Sequence, residues 1–344
     1  MKKKVLTVLK YVLFLGLGVF LVWWSIHKMD DKNWEECKAA LRTARYALFI
    51  PVFFILVGSH YCRALRWRIL MMPLGYKPRI LNTFFAVMVG YLANLAIPRL
   101  GEVLKCTILA KYEKVPADKL VGTIVVERVV DVISLVIVFI IAIATQLDII
   151  GAYAEKTLKE NFLSGGVGIV VIKLAAVVAV LILGYFLLKF IFKKYRHVGF
   201  IKKLNKLFLG VGAGLTSIKK LENKKMFLVY SVLIWAGYAA GTYLGFFVIE
   251  ETQHLSFAAV FPVLAFASVG MIITPGGIGT YQLFIMEVML LYGIDKGPGY
   301  ANGILQWLAQ FVIVLLAGFI SLIALPYYNR NLKSTKQKLK ETEA

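Results

Sequence analysis

The sequence predicts an all-α polytopic membrane protein with about six spanning helices, two re-entrant broken helical hairpins in an inverted-repeat arrangement, and both termini in the cytoplasm. Three observations predict it. Hydrophobic residues make up 60% of the chain against 17% charged, with a mean hydropathy of +0.75, far from the balance of a soluble domain. Several apolar runs approach the roughly 20 residues needed to cross hydrocarbon. Two of these runs, 80–97 and 255–273, end in breaks reading PRLGE and TPGGIG, where a plain spanning helix would continue.

A net charge of +21 raises the question of nucleic acid, but no zinc-ligand spacing, RNA-binding signature or basic recognition helix accompanies it. The basic residues sit between apolar segments. They report topology first and attraction to anionic lipid second. Cys37, Cys62 and Cys106 are odd in number and scattered, so they form neither a disulfide framework nor a metal site. No cofactor is expected.

Lys2, Lys3 and Lys4 precede an apolar stretch, 5–26, that closes on the interfacial pair Trp23 and Trp24. This is too long for a signal core and predicts a retained first helix with a cytoplasmic N-terminus. In 28–45, Trp34, Cys37, Ala40, Leu41 and Ala44 keep helical spacing, which predicts an amphipathic helix on the outer surface. A second spanning helix from Tyr46 to about Tyr61 returns inward, and Arg63, Arg66, Arg68, Lys77 and Arg79 read as its cytoplasmic loop.

If the run from Ile80 crossed fully, Lys105, Lys111, Lys114 and Lys119 would lie outside. A hairpin over 80–112 that enters and leaves by one face removes the conflict. Pro98 lacks an amide hydrogen and disfavours helix at Ile97, while Gly101 relaxes the backbone. Such a break is tolerated at membrane depth only where it is buried in protein or lines a wet cavity. A third helix, 119–145, exits and a fourth, 167–192, returns. The densest basic stretch, 193–225, is then a cytoplasmic amphipathic segment on anionic lipid. A fifth helix, 226–249, leads to the second hairpin, 255–293, entering from the opposite face. A last helix, 300–325, precedes a basic tail, 328–344. Residues 1–327 form one integral domain on this reading. Both halves run apolar segment, Pro, Gly, short helix, Pro, long helix, the plan of an inverted-topology repeat with a midplane site.

Glu127, Arg128 and Asp131 fall two to three turns into the third helix. At about 2.5 to 3.5 kcal/mol per central charge they are too costly to face lipid. They must face protein or water, with one another, Glu102 or Arg99 as partners. Two readings stand: a buried network that pins the first hairpin, or a polar passage in which Arg99 binds a phosphate and the carboxylates a cationic group. The short helices begin at the breaks, so exposed amides at Gly101–Glu102 and at Gly279–Thr280 favour an anion. Gly276, Gly277 and Gly279 let backbone approach it, beside Thr280, Tyr281 and Gln282. Asn302, Gln306 and Gln310 share one face of the last helix.

The stretches NLAIPRLGEVLKCTILA, VPADKLVGTIVVERVVDVISL and TPGGIGTYQ, in that order, resemble the flippase-like family named for the transmembrane region of lysylphosphatidylglycerol synthetase. The resemblance spans residues 5 to 327 or so. In the larger members, the multiple peptide resistance factors, such a domain is implicated in moving aminoacylated phospholipid, which a separate soluble domain makes. The resemblance implies a lipid translocase of a bacterial cytoplasmic membrane. Its partners would be phospholipids with anionic headgroups and a lipid-modifying enzyme, not nucleic acid. The tail after Leu325 is too short for an acyltransferase, so no enzymatic activity of its own is expected. An ion-coupled small-solute transporter, or a component of aminoacyl-lipid synthesis, is the alternative. A membrane-embedded enzyme ranks last, since no nucleophile–base or metal-ligand constellation lies in the spans.

Overall fold

A computed structural model describes residues 16, 18–27, 29–97, 99–146 and 221–342. Outside the described residues lie Pro98, the start of the first helix, the fourth spanning helix expected over 167–192 and most of the basic segment 193–225. The described elements are helices α1 (Gly18–His27), α2 (Asp31–Thr43), α3 (Phe49–Met71), α4 (Ile80–Ala96), α5 (Leu100–Glu113) and α6 (Ala117–Thr145). After the undescribed stretch come α7 (Lys224–Phe246), α8 (Val260–Ile273), α9 (Thr280–Leu290) and α10 (Lys296–Thr342). Among the described residues, three stretches, Tyr46–Leu74, Lys224–Phe246 and Lys296–Arg330, are long and apolar enough to cross a membrane. At 29 residues, α6 has the length, about 43 Å at 1.5 Å per residue, but carries the charge cluster.

Two expected boundaries are corrected. The second helix does not end near Tyr61 but continues to Met71, so Arg63, Arg66 and Arg68 are helical rather than loop residues. No Pro or Gly interrupts 59–71, and Ala64, Trp67, Leu70 and Met71 carry the buried face onward. The last helix passes straight through Pro326 and runs on to Thr342, rather than stopping at Leu325 ahead of a separate tail. The amphipathic helix forms as α2, burying Cys37 and Ala40. Its N-cap is Asp30, whose carboxylate accepts the Asn33 amide at 2.8 Å and is held below its usual pKa mainly by that bond.

Both breaks form helix–break–helix units, α4–α5 and α8–α9, each folded back on itself. Ile97 is extended, as the residue before a proline should be. Arg99 then adopts φ 69° and opens α5. Asn94 Oδ1 accepts the Gly101 amide at 2.8 Å, satisfying one of the orphan donors of the new helix. The arms cross where a Cβ on Gly101 would overlap the Gly90 carbonyl oxygen.

The second unit repeats the first in register. Val260 stands 180 positions after Ile80, Thr280 180 after Leu100, and Gly279, also at positive φ, 180 after Arg99. The crossing repeats too: Gly90 meets Gly101, and Gly270 meets Tyr281, each shifted by 180. Helices α3 and α7 pack antiparallel, with Arg66 beside Ser231, Ser59 beside Gly237 and Leu56 beside Gly241. The long helix after each unit packs on the other unit. Helix α10 lies along α4 through Leu92–Gly318 and Phe85–Tyr328, and α6 meets α8 at Phe139–Phe266.

The crossing makes Gly101 sensitive. Gly101→Ala should lower stability by about 1 to 3 kcal/mol or more, the usual cost of overpacking. Gly122→Ala, with nothing within 4 Å of the added methyl, should be neutral or stabilising by up to about 1 kcal/mol. Thermal unfolding of the two variants in one detergent checks the contrast.

Candidate functional site

The charges meet where α3, α5 and α6 converge. Arg63 Nη1 lies 2.6 Å from Asp131 Oδ2 and 3.3 Å from Glu127 Oε1. Arg66 Nη2 lies 2.6 Å from Asp131 Oδ1 and 3.8 Å from Glu127 Oε1. Lys105 Nζ donates to Glu127 Oε2 at 2.7 Å and sits over the Trp67 ring. Trp67 in turn donates to Thr123 Oγ1 at 2.8 Å, bracing α3 against α6. Helical periodicity explains the match: Arg63 and Arg66 are one turn apart on α3, as Glu127 and Asp131 are on α6.

Burial grades outward. Glu127 and Arg66 are fully buried, whereas the Arg128 side chain is 46% exposed. At this outer edge Arg128 reaches Glu102 Oε1 at 3.3 Å and Asp131 Oδ2 at 4.0 Å. Four cations thus share three carboxylates, leaving one positive charge uncompensated within the cluster. Arg63 Nε and Arg66 Nε are buried donors without an acceptor among the described residues. Buried polar groups ordinarily find partners, and unused donors beside excess positive charge are features that suit an anion.

Of the residues singled out from sequence, Glu127, Arg128, Asp131 and Glu102 are brought together. Arg99 is exposed at the break and makes no ion pair among the described residues. The turn of the second unit is largely self-satisfied. The Gly277 amide donates to Thr274, and the Gly279 amide to Gln282 Oε1 at 2.9 Å. Thr280 Oγ1 donates to the Gly270 carbonyl at 2.7 Å. The Gly276 carbonyl accepts from Trp307, and α1 packs on Gly279 through Gly18 and Leu21. Leu95, at the end of α4, lies beside Gly276, so the two breaks adjoin. Gln310 Nε2 donates to the Tyr281 hydroxyl at 3.0 Å, and Gln306 Nε2 to Asn302 at 2.6 Å.

Arg63, Arg66 and Lys105 were missed as site residues because basic residues between apolar runs read as loop charges. A signal existed: a helix from Tyr46 to Tyr61 falls short of the roughly 20 residues a span needs. Extending it to that length carries Arg63 inside.

Fold and site together define a helical membrane protein in which two broken-helix units adjoin beside a buried ion cluster. The family described as Lysylphosphatidylglycerol synthase TM region matches residues 8–318, and the chain belongs to it. It is also 21% identical over 280 residues to a UPF0104 membrane protein of Methanocaldococcus jannaschii, a match covering 75% of this chain and 79% of that one. No solved structure matches.

The cluster separates two kinds of charge. Glu127→Gln should cost about 3 to 5 kcal/mol, because it strands buried cations. Arg128→Ala should cost no more than about 1 kcal/mol, since its side chain is 46% exposed and Asp131 keeps Arg63 and Arg66 as partners. Denaturation midpoints of the purified variants give both values.

Proposed function

We propose that this protein is a translocase that moves a phospholipid or other polar lipid between leaflets, the headgroup passing along the ion cluster. The observation that carries this reading is the buried cluster itself, with its surplus positive charge and two unused arginine donors. A lipid phosphate is the anion such a site would meet in a bilayer. The grading from buried Glu127 to half-exposed Arg128 supplies a path of fixed charges from the edge of the cluster inward. In this reading the two broken units are re-entrant hairpins entering from opposite faces, and both termini are cytoplasmic. The membrane is the bacterial cytoplasmic membrane, and the chain acts on anionic phospholipid delivered by a separate lipid-modifying enzyme. The family's own description, a lysylphosphatidylglycerol synthase transmembrane region, supports the lipid assignment.

Two measurements test it. Cysteines placed at Lys111 and Lys296 should label from opposite faces of sealed vesicles; labelling from one face rejects the inverted hairpins. In reconstituted vesicles carrying labelled phospholipid, Arg128→Ala and Arg99→Ala should slow transbilayer movement several-fold with the unfolding midpoint little changed. If the unaltered protein moves neither anionic nor zwitterionic lipid, the translocase is rejected.

A further inference from the structure

The register between the halves assigns a counterpart to each member of the cluster. Counted from the helix starts, Tyr238 in α7 occupies the place of Arg63 in α3, and Gly241 that of Arg66. In α10, Gln306 and Gln310 take the places of Glu127 and Asp131 in α6. In α9, Gln282 stands for Glu102 and Ile285 for Lys105. The contacts obey the same exchange, since Arg66 with Ser231 is the mate of Gly241 with Leu56. The second half therefore repeats the site with its charges removed. Where Arg66 fills space in one half, Gly241 leaves a cavity of about 20 Å³ in the other, lined by Tyr238, Gln306 and Gln310 among others. That is room for about one water or one small polar group.

This neutral cavity adjoins a groove between α3 and α10. Phe49 and Ala309 line both. The groove encloses about 500 Å³, walled by Phe53 and Phe54 on one side and by Leu308, Val312 and Ile313 on the other. Ligand sites typically run from about 300 to 1,000 Å³. Both walls belong to stretches long and apolar enough to cross a membrane, and helices that span one face acyl chains there.

We propose that the α3–α10 groove is an acyl-chain site for a bilayer glycerolipid, with an uncharged oxygen of the lipid's glycerol region against Gln306, Gln310 and Tyr238. The chemistry selects the group. Amide and phenol donors, uncharged themselves, suit a carbonyl or hydroxyl oxygen, and an apolar groove behind them suits the chain. Tyr238 also accepts from Arg63 Nη2 at 3.3 Å, so the neutral site joins the charged cluster through a single hydrogen bond. The proposal deepens the translocase reading and rests on it for its place in transport, though lipid binding at the groove is measured without transport.

The test uses the full chain in nanodiscs of phosphatidylglycerol and phosphatidylcholine, with a trace of phosphatidylcholine bearing a diazirine on one acyl chain. After irradiation, label should concentrate on peptides covering 46–54 and 308–313. Val312→Trp at the groove rim, and separately Gln310→Leu, should lower that labelling several-fold and leave label on the lipid-facing side of α7 unchanged. Val312 is 37% exposed, so the tryptophan is accommodated without disturbing the core. Label spread evenly over all apolar faces, or unaffected by either variant, overturns the proposal. So does a crosslink showing another segment of this chain seated in the groove. Labelling at the groove in a protein that moves no lipid would retain the site and reject the translocase; transport without groove labelling would do the reverse.

Discussion

Five ionised side chains, Arg63, Arg66, Lys105, Glu127 and Asp131, lie among apolar helices, and their mutual pairing is the condition on which the first half of the structure rests. Facing hydrocarbon they would cost on the order of 15 kcal/mol at about 3 kcal/mol each, as much as the whole net stability of a domain. Each is instead within 2.6 to 3.8 Å of an opposite charge. Three separate helices must supply the partners, so the cluster fixes α3, α5 and α6 relative to one another. The α4–α5 unit is part of the same requirement. Its close Gly90–Gly101 crossing helps set the path of α5, and α5 carries Lys105 to Glu127.

Within a bilayer the hydrophobic effect does not draw helices together, so close packing and interhelical hydrogen bonds have to. The chain meets that constraint with small residues at crossings. Gly303 lies on Gln282, Gly318 on Leu92, and Gly245 on the Gln306 side chain. Polar side chains tie the same contacts: Asn302 donates to the Gly245 carbonyl at 2.9 Å, and Asn329 donates to Asn82 Oδ1 at 2.8 Å. The neutral amides of the second half serve as interhelical ties as well as lining a cavity.

The two halves share backbone plan but not chemistry. Helix starts, breaks and crossings repeat at a nearly constant interval, while Glu127 and Asp131 become glutamines and Arg66 becomes glycine. A charged site and its neutral copy lie on opposite sides of the α3–α7 contact, linked by Arg63 and Tyr238, which are themselves counterparts. In the proposed passage this gives a polar lipid a place for its charged end and a different place for its uncharged neck. A symmetric pair of charged sites would offer only the first, at twice the burial cost.

Composition and spacing alone determined the helical membrane class, the start of the first broken-helix unit at Ile80, both breaks, the recurrence of one layout in two halves, and the need of Glu127 and Asp131 for buried partners. These are local properties: apolar run length, the missing amide of proline, and the cost of a charge at depth. Only the tertiary structure decided that Arg63, Arg66 and Lys105 are the partners, that Arg99 stands apart, and that the last helix survives Pro326. A basic residue has the same local signature whether it ends a helix in headgroups or lies inside one. What separates the cases is a carboxylate on another helix, 64 positions away for Arg63 and Glu127, and Coulomb attraction acts through space with no trace in the neighbouring sequence.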